Sequence, residues 1–143
     1  MEKNDSLRKN MVRSVKLVAN SVSLEELDLI VTDTVLNWTM EDFFLSMSDD
    51  YNSCIELSRK LQDGHLSSSK IDYFENVKSL YTRNLSQSYQ AYHVFSRLND
   101  MRGNVFEVPN GFDQNVYHLL RQENYSVPSP QNKENGAVFQ KGT

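Results

Sequence analysis

The residues of this chain that could do acid–base or metal chemistry are dispersed along it. The three histidines, His65, His93 and His118, lie far apart, and none belongs to a helical metal-binding pattern such as His-Glu-x-x-His. The acidic pairs Glu41-Asp42 and Asp49-Asp50 are sequence neighbours, and adjacent helical residues point about 100° apart, so neither is a general acid–base pair. Five scattered glycines form no phosphate-binding loop, and one cysteine excludes an internal disulfide and a cysteine-based zinc site. The sequence therefore predicts a protein that is not an enzyme and that uses no metal or cofactor.

Acidic and basic residues lie in blocks along the chain, although the formal net charge is only −4. Residues 1–22 carry five basic and two acidic side chains, whereas residues 23–58 carry nine acidic and no basic ones. Such blocks favour antiparallel pairing of neighbouring helices of opposite sign, within a chain or between chains. Acids at helix starts also complement the helix dipole. The functional interpretation of the acidic block is a partner-binding surface that contains Glu41, Asp42, Asp49 and Asp50.

The scarcity of glycine and proline predicts an all-α fold. Up to Arg102 the only residue of either type is Gly64, whereas a sandwich or barrel needs a turn every 8 to 12 residues. We expect four or five helices, with a basic first helix and a stop at Gly64. The first helix has apolar residues at steps of three and four, which predicts one buried face: Leu7, Met11, Val15, Val18 and Val22.

Three capping patterns divide the acidic block into predicted helices. Ser23 and Glu26 have capping-box spacing, with Val22 and Leu27 as a hydrophobic staple, so a second helix is predicted to start there. Thr39 is a weaker signal for a restart or kink. Ser48-Asp49-Asp50 predicts a third start.

A long aromatic-rich helix is predicted from Lys70 to Met101, because nothing in that stretch breaks a helix. It either bends near residues 84–88, where helix propensity is low, or extends and pairs with another chain. Aromatic residues at helical spacing are typical of a core or an interface. As partner-binding candidates on this helix the sequence indicates Tyr81, Tyr89, Tyr92 and Phe95.

After the stop at Arg102-Gly103 the pattern changes. Residues 104–112 predict a minor β-turn or hairpin element, and Asp113 is predicted to cap a short helix. Val116, Leu119 and Leu120 would face inward. We expect a single helical domain over residues 1–125 and a disordered, flexible tail over residues 126–143, which has no periodicity.

Residues 13–31 resemble the N-terminal dimerisation helices of the H-NS nucleoid-structuring family. The resemblance rests on a basic first helix followed by the helix start Ser23-Leu24-Glu25-Glu26-Leu27. It covers less than a fifth of the chain, and the glycine-rich C-terminal DNA-binding loop of that family is absent here. The resemblance implies helices that oligomerise.

The sequence favours a small non-catalytic regulatory or adaptor protein that binds other protein chains, including itself, through the first two helices or the long fourth one. It contains no signal-peptide core or membrane span, so we expect a cytoplasmic protein without a membrane partner. One alternative is a transcription regulator that contacts DNA directly through the basic first helix or residues 97–111. Another is an acidic decoy that binds a basic nucleic-acid-binding protein through residues 25–56. The candidate DNA contacts are Arg8, Arg13, Arg97 and Arg102.

Overall fold

The computed structural model describes the backbone of residues 2–130 and the side chains of residues 5–130. Within that range the chain forms five α-helices and no strand, which confirms the all-α prediction. The predicted hairpin is not found there, since residues 104–109 lack regular secondary structure. The predicted turn is present at residues 110–111, where Phe112 N–H donates to the Pro109 carbonyl at 3.1 Å. The helices are α1 (Glu2–Val18), α2 (Leu24–Ile30), α3 (Asp33–Leu61), α4 (Ser68–Met101) and α5 (Phe112–Gln122).

The centre of the fold is an antiparallel hairpin of the two long helices α3 and α4. Its register is set by Phe43 against Phe95, with ring centroids 5.5 Å apart, and by Cys54 Sγ against Thr82 Oγ1 at 3.4 Å. At 1.5 Å per residue these helices are about 44 and 51 Å long. The sequence left open a bend in α4 or a partner from another chain. The structure shows α4 as one uninterrupted helix that packs along the long helix α3 of its own chain.

The predicted helix starts at Thr39 and Ser48 are wrong, because α3 runs through both. The Thr39 hydroxyl donates to the Val35 carbonyl at 2.7 Å, so it is satisfied by its own helix and caps nothing. The real break lies earlier, where Val31 is extended and the Thr32 hydroxyl accepts from Val35 N–H at 3.2 Å. The second helix is therefore short, although its predicted capping box, Ser23 with Glu26, is confirmed.

The predicted inward face of α1 is only partly confirmed, because Val15 and Val22 pack against the core whereas Leu7, Met11 and Val18 do not. Val12, which is 6% exposed, lies on the face that packs toward the rest of the molecule, together with Val15 and Lys16. Leu7 and Met11, predicted to be buried, are exposed to solvent. The apolar residues of α1 do recur at helical spacing, but the helix packs through the neighbouring face, which carries Arg8 and Lys16.

The short helix α5 covers the middle of the hairpin. Val116, Leu119 and Leu120 are buried as predicted, but the N-cap is Gly111, whose φ of +82° suits glycine, and not Asp113. Tyr125 and Val127 still pack against the core. Residues 126–130 have no regular secondary structure, and the rest of the predicted tail, 131–143, lies outside the described residues.

Candidate protein-binding surfaces

Two basic side chains of α1 meet two acidic side chains of α3. Arg8 Nη2 lies 2.6 Å from Glu41 Oε1, and Lys16 Nζ forms an ion pair with Asp42. Glu41 and Asp42, predicted to bind a partner, are thus already engaged inside the chain. The blocks of opposite charge are neighbours in space as they are in sequence.

The same two cations lie over aromatic rings of α3. The Arg8 guanidinium carbon is 5.2 Å from the centroid of the Trp38 ring, and Lys16 Nζ is 4.0 Å from that of Phe43. A cation over an aromatic face is attracted to the negative π-surface. The basic face of α1 therefore packs on α3 through both its charges and its aliphatic stems, which explains why a charged face lies inward.

An open groove of about 670 Å³ runs between α1 and α3, and we call it the α1–α3 groove. Val12 and Trp38 line it, together with Leu17 and Leu45, which are 63% and 61% exposed. Lys9 and Arg13 also line the groove. Among residues 5–130 neither base has an ion-pair partner, so the groove combines apolar side chains with unneutralised positive charge.

A second apolar surface lies on another side of α1, and we call it the α1–α2 stripe. The α1–α2 stripe consists of three α1 residues, spaced one and two helical turns apart, and of the last two residues of α2. Met11 and Ile30 line a hollow of about 280 Å³ whose other lining residues carry no charge. Leu29 is 84% exposed and Leu7 58% exposed. The stripe comprises Leu7, Met11, Val18, Leu29 and Ile30.

The aromatic partner-binding candidates of α4 lie mostly in the core. Tyr89, Tyr92 and Phe95 are buried, and Tyr81 remains at the surface. A partner of the folded chain can therefore reach only Tyr81 of these four. Of the remaining acidic candidates, Asp49 is exposed, and the pKa of Asp50 is raised by partial burial and then by the nearby Asp49 charge.

The four arginines proposed as DNA contacts differ in what they already bind. Arg8 is paired with Glu41, whereas Arg13 and Arg97 are exposed and form no ion pair within residues 5–130. Arg102 donates from Nε to Asp28 at 2.8 Å and from Nη1 to Asp33 at 2.9 Å. Direct DNA binding remains a prediction, supported in this structure by the two free arginines alone.

A polar cavity of about 470 Å³ lies where the end of α4 meets the start of α5. Asp113 lines it, and its Oδ1 is buried without a hydrogen-bond partner among the described residues. Burial raises the pKa of this carboxyl to about 6. The neighbouring Tyr89 hydroxyl and His93 Nε2 are likewise buried and unpaired. Burial lowers the pKa of His93, so Asp113 and His93 both favour their neutral forms.

Among the described residues no group of three or more His, Cys, Asp or Glu side chains is arranged to hold a metal ion. No helix of residues 2–130 is long and apolar enough to cross a membrane. No protein-family model, curated protein or solved structure matches this chain. The candidate sites therefore rest on geometry alone: the α1–α2 stripe, the α1–α3 groove and the polar cavity.

Proposed function

We propose that this chain is a small non-catalytic regulatory or adaptor protein that acts by binding protein chains and that self-associates through the α1–α2 stripe. The observation that supports the proposal is the exposed apolar row on α1, of which Met11 shares a hollow with Ile30 of α2. Apolar side chains in water gain free energy when a partner removes them from it. Contiguous exposed apolar patches are accordingly typical of interaction sites.

The charge pattern around the stripe favours a second copy of the chain as the partner. A two-fold interface brings the same surface together from both subunits, so a surface whose charges are all of one sign would repel its own copy. The hollow that Met11 and Ile30 share is bordered by Asn10, Ser14 and Thr32, all uncharged. Among the described residues no charged side chain lines this hollow, so no charge repulsion there opposes a second copy.

The spacing along α1 fits such a pairing. Leu7, Met11 and Val18 occupy three of the four positions 7, 11, 14 and 18 that follow the alternating steps of a coiled-coil seam, and the polar Ser14 occupies the fourth. Lys9 and Arg13 follow Leu7 and Met11 by two positions, about 200° further round the helix. Two α1 helices can therefore meet along the stripe without bringing these bases together.

Light scattering over concentrations from about 5 to 500 µM tests self-association. The stripe is short, so we expect a weak interface below about 1,200 Å² and a dimer that dissociates on dilution. Met11→Glu and Ile30→Glu should each abolish the dimer by burying a charge in it. The matched control is Leu80→Glu, which places the same charge at an exposed leucine of α4 and should leave the dimer intact.

A monomeric mass at every concentration would contradict self-association through this surface. So would a dimer that Met11→Glu and Ile30→Glu leave unchanged.

A further inference from the structure

We infer that the α1–α3 groove binds an amphipathic helix from a different protein, with acidic side chains along one edge of its apolar face. This goes beyond self-association, because it assigns a separate surface to a separate kind of partner. Three properties of the groove define the partner: its apolar walls, the absence of free backbone groups, and its unpaired bases.

The walls require apolar side chains from the partner. Leu17 of α1 and Leu45 of α3 are both more than half exposed, and Trp38 lies between the two helices with part of its ring accessible. A volume of about 670 Å³ accommodates several side chains rather than a single one. A row of apolar residues on one face of the partner would cover all three.

The backbone of the groove requires a helical partner. Its lining residues belong to α1 and α3, whose internal backbone N–H and C=O groups are already paired within their helices. The groove therefore has no strand edge to which an extended peptide could hydrogen-bond. A helix satisfies its own backbone and needs only side-chain contacts from the walls.

The charges of the groove require acidic residues on the partner. Glu41 and Asp42 are neutralised by Arg8 and Lys16, which leaves Lys9, Arg13 and Asp5 as the lining charges without an ion pair in residues 5–130. The two bases outweigh the one acid. Residues 131–143 of this chain carry two lysines and one glutamate, so their charge does not complement the groove.

Trp38 provides a direct measurement, because it is the only tryptophan of the chain and lines the groove. The probe is a synthetic amphipathic peptide of about 18 residues, with leucines on one face, glutamates along its edge and no aromatic residue. We expect it to shift the Trp38 emission in a saturable titration. A peptide of the same composition in scrambled order, and one with lysine in place of glutamate, should bind at least about tenfold more weakly.

Variants of the protein test the two edges of the groove separately. Lys9→Glu/Arg13→Glu should weaken peptide binding about tenfold at low salt and less at high salt, because exposed charges are screened. Leu45→Ala should weaken binding at both salt concentrations. The matched controls, Lys70→Glu/Arg83→Glu and Leu80→Ala, make the same changes at exposed positions of α4 and should leave the affinity within about twofold.

Equal binding of the ordered and scrambled peptides would overturn the inference, as would an affinity unaffected by Lys9→Glu/Arg13→Glu. If Leu45→Ala abolishes dimerisation in light scattering, the groove is occupied by a second copy and the inference is wrong. Peptide binding by a chain that is monomeric throughout would contradict self-association while leaving this inference intact.

Discussion

At the scale of single residues, Arg102 shows how one side chain can join distant helices. Its Nη2 donates to the carbonyl of Asp28 at 2.8 Å and to that of Val31, both at the end of α2, while its other nitrogens contact Asp28 and Asp33 carboxylates. The last carbonyls of a helix have no partner within it, so the guanidinium caps α2 from the end of α4. This contact fixes the break between α2 and α3, and with it the position of Leu29 and Ile30.

Asp113 gives a prediction about pH. Its folded-state pKa is raised to about 6 by burial, above the ordinary value of 3.8, so the folded chain holds a proton there that the unfolded chain releases. The contribution of Asp113 to folding stability is therefore fully present below about pH 4 and is lost as the pH rises through 6. We expect Asp113→Asn to raise the melting temperature at pH 7.5 and to have little effect near pH 4.

Thermal denaturation followed by circular dichroism across this pH range measures the difference. Wild type and variant are compared at each pH, so the opposite contribution of His93, which burial keeps neutral, is common to both. An equal gain at both ends of the range would show that the carboxylate charge is not what limits stability.

At the scale of elements, the docking of α1 on α3 depends on the sign of its charges. Glu41→Lys/Asp42→Lys would place like charges opposite Arg8 and Lys16, and we expect the amides of α1 to exchange with solvent about tenfold faster. Adding Arg8→Glu/Lys16→Glu restores opposite signs and should recover most of the protection. Recovery stays incomplete, because both cation–π contacts are lost.

Hydrogen exchange with mass spectrometry over residues 2–18 provides the measurement, and Asp72→Lys/Glu75→Lys at exposed positions of α4 is a control of equal charge change. If the fourfold variant exchanges as fast as Glu41→Lys/Asp42→Lys, the charges do not hold α1 in place.

The sequence predicted the elements better than their arrangement, for reasons that particular residues show. The capping box of Ser23 and Glu26 is local chemistry and was predicted correctly. Thr39 has the same chemistry, but its hydroxyl bonds to the preceding turn, since α3 is continued by packing along α4. The periodicity of α1 predicted an apolar face, but it did not show whether that face packs against the core of its own chain or against a partner chain. The groove joins Leu17 to Leu45, a pairing that only tertiary structure creates.

At the scale of the whole molecule, α1 has three faces, and each belongs to a different surface or contact. The face with Arg8, Val12 and Lys16 docks on α3. The face with Leu7, Met11 and Val18 belongs to the stripe, and Lys9, Arg13 and Leu17 border the groove. At about 100° per residue, the stripe and the groove edge point in directions well apart on the helix. An adaptor needs this separation, because one surface must stay free while the other is occupied.

The separation of the two surfaces predicts that their functions are independent. Met11→Glu should give a monomer that binds the acidic amphipathic peptide with an affinity within about twofold of wild type, since sites without shared contacts behave additively. Lys9→Glu/Arg13→Glu should bind the peptide about tenfold more weakly at low salt and still dimerise. Titration of Trp38 emission and light scattering on the same samples measure both properties. If the monomeric variant also loses the peptide, the groove is completed only in the dimer, and the two surfaces form one site.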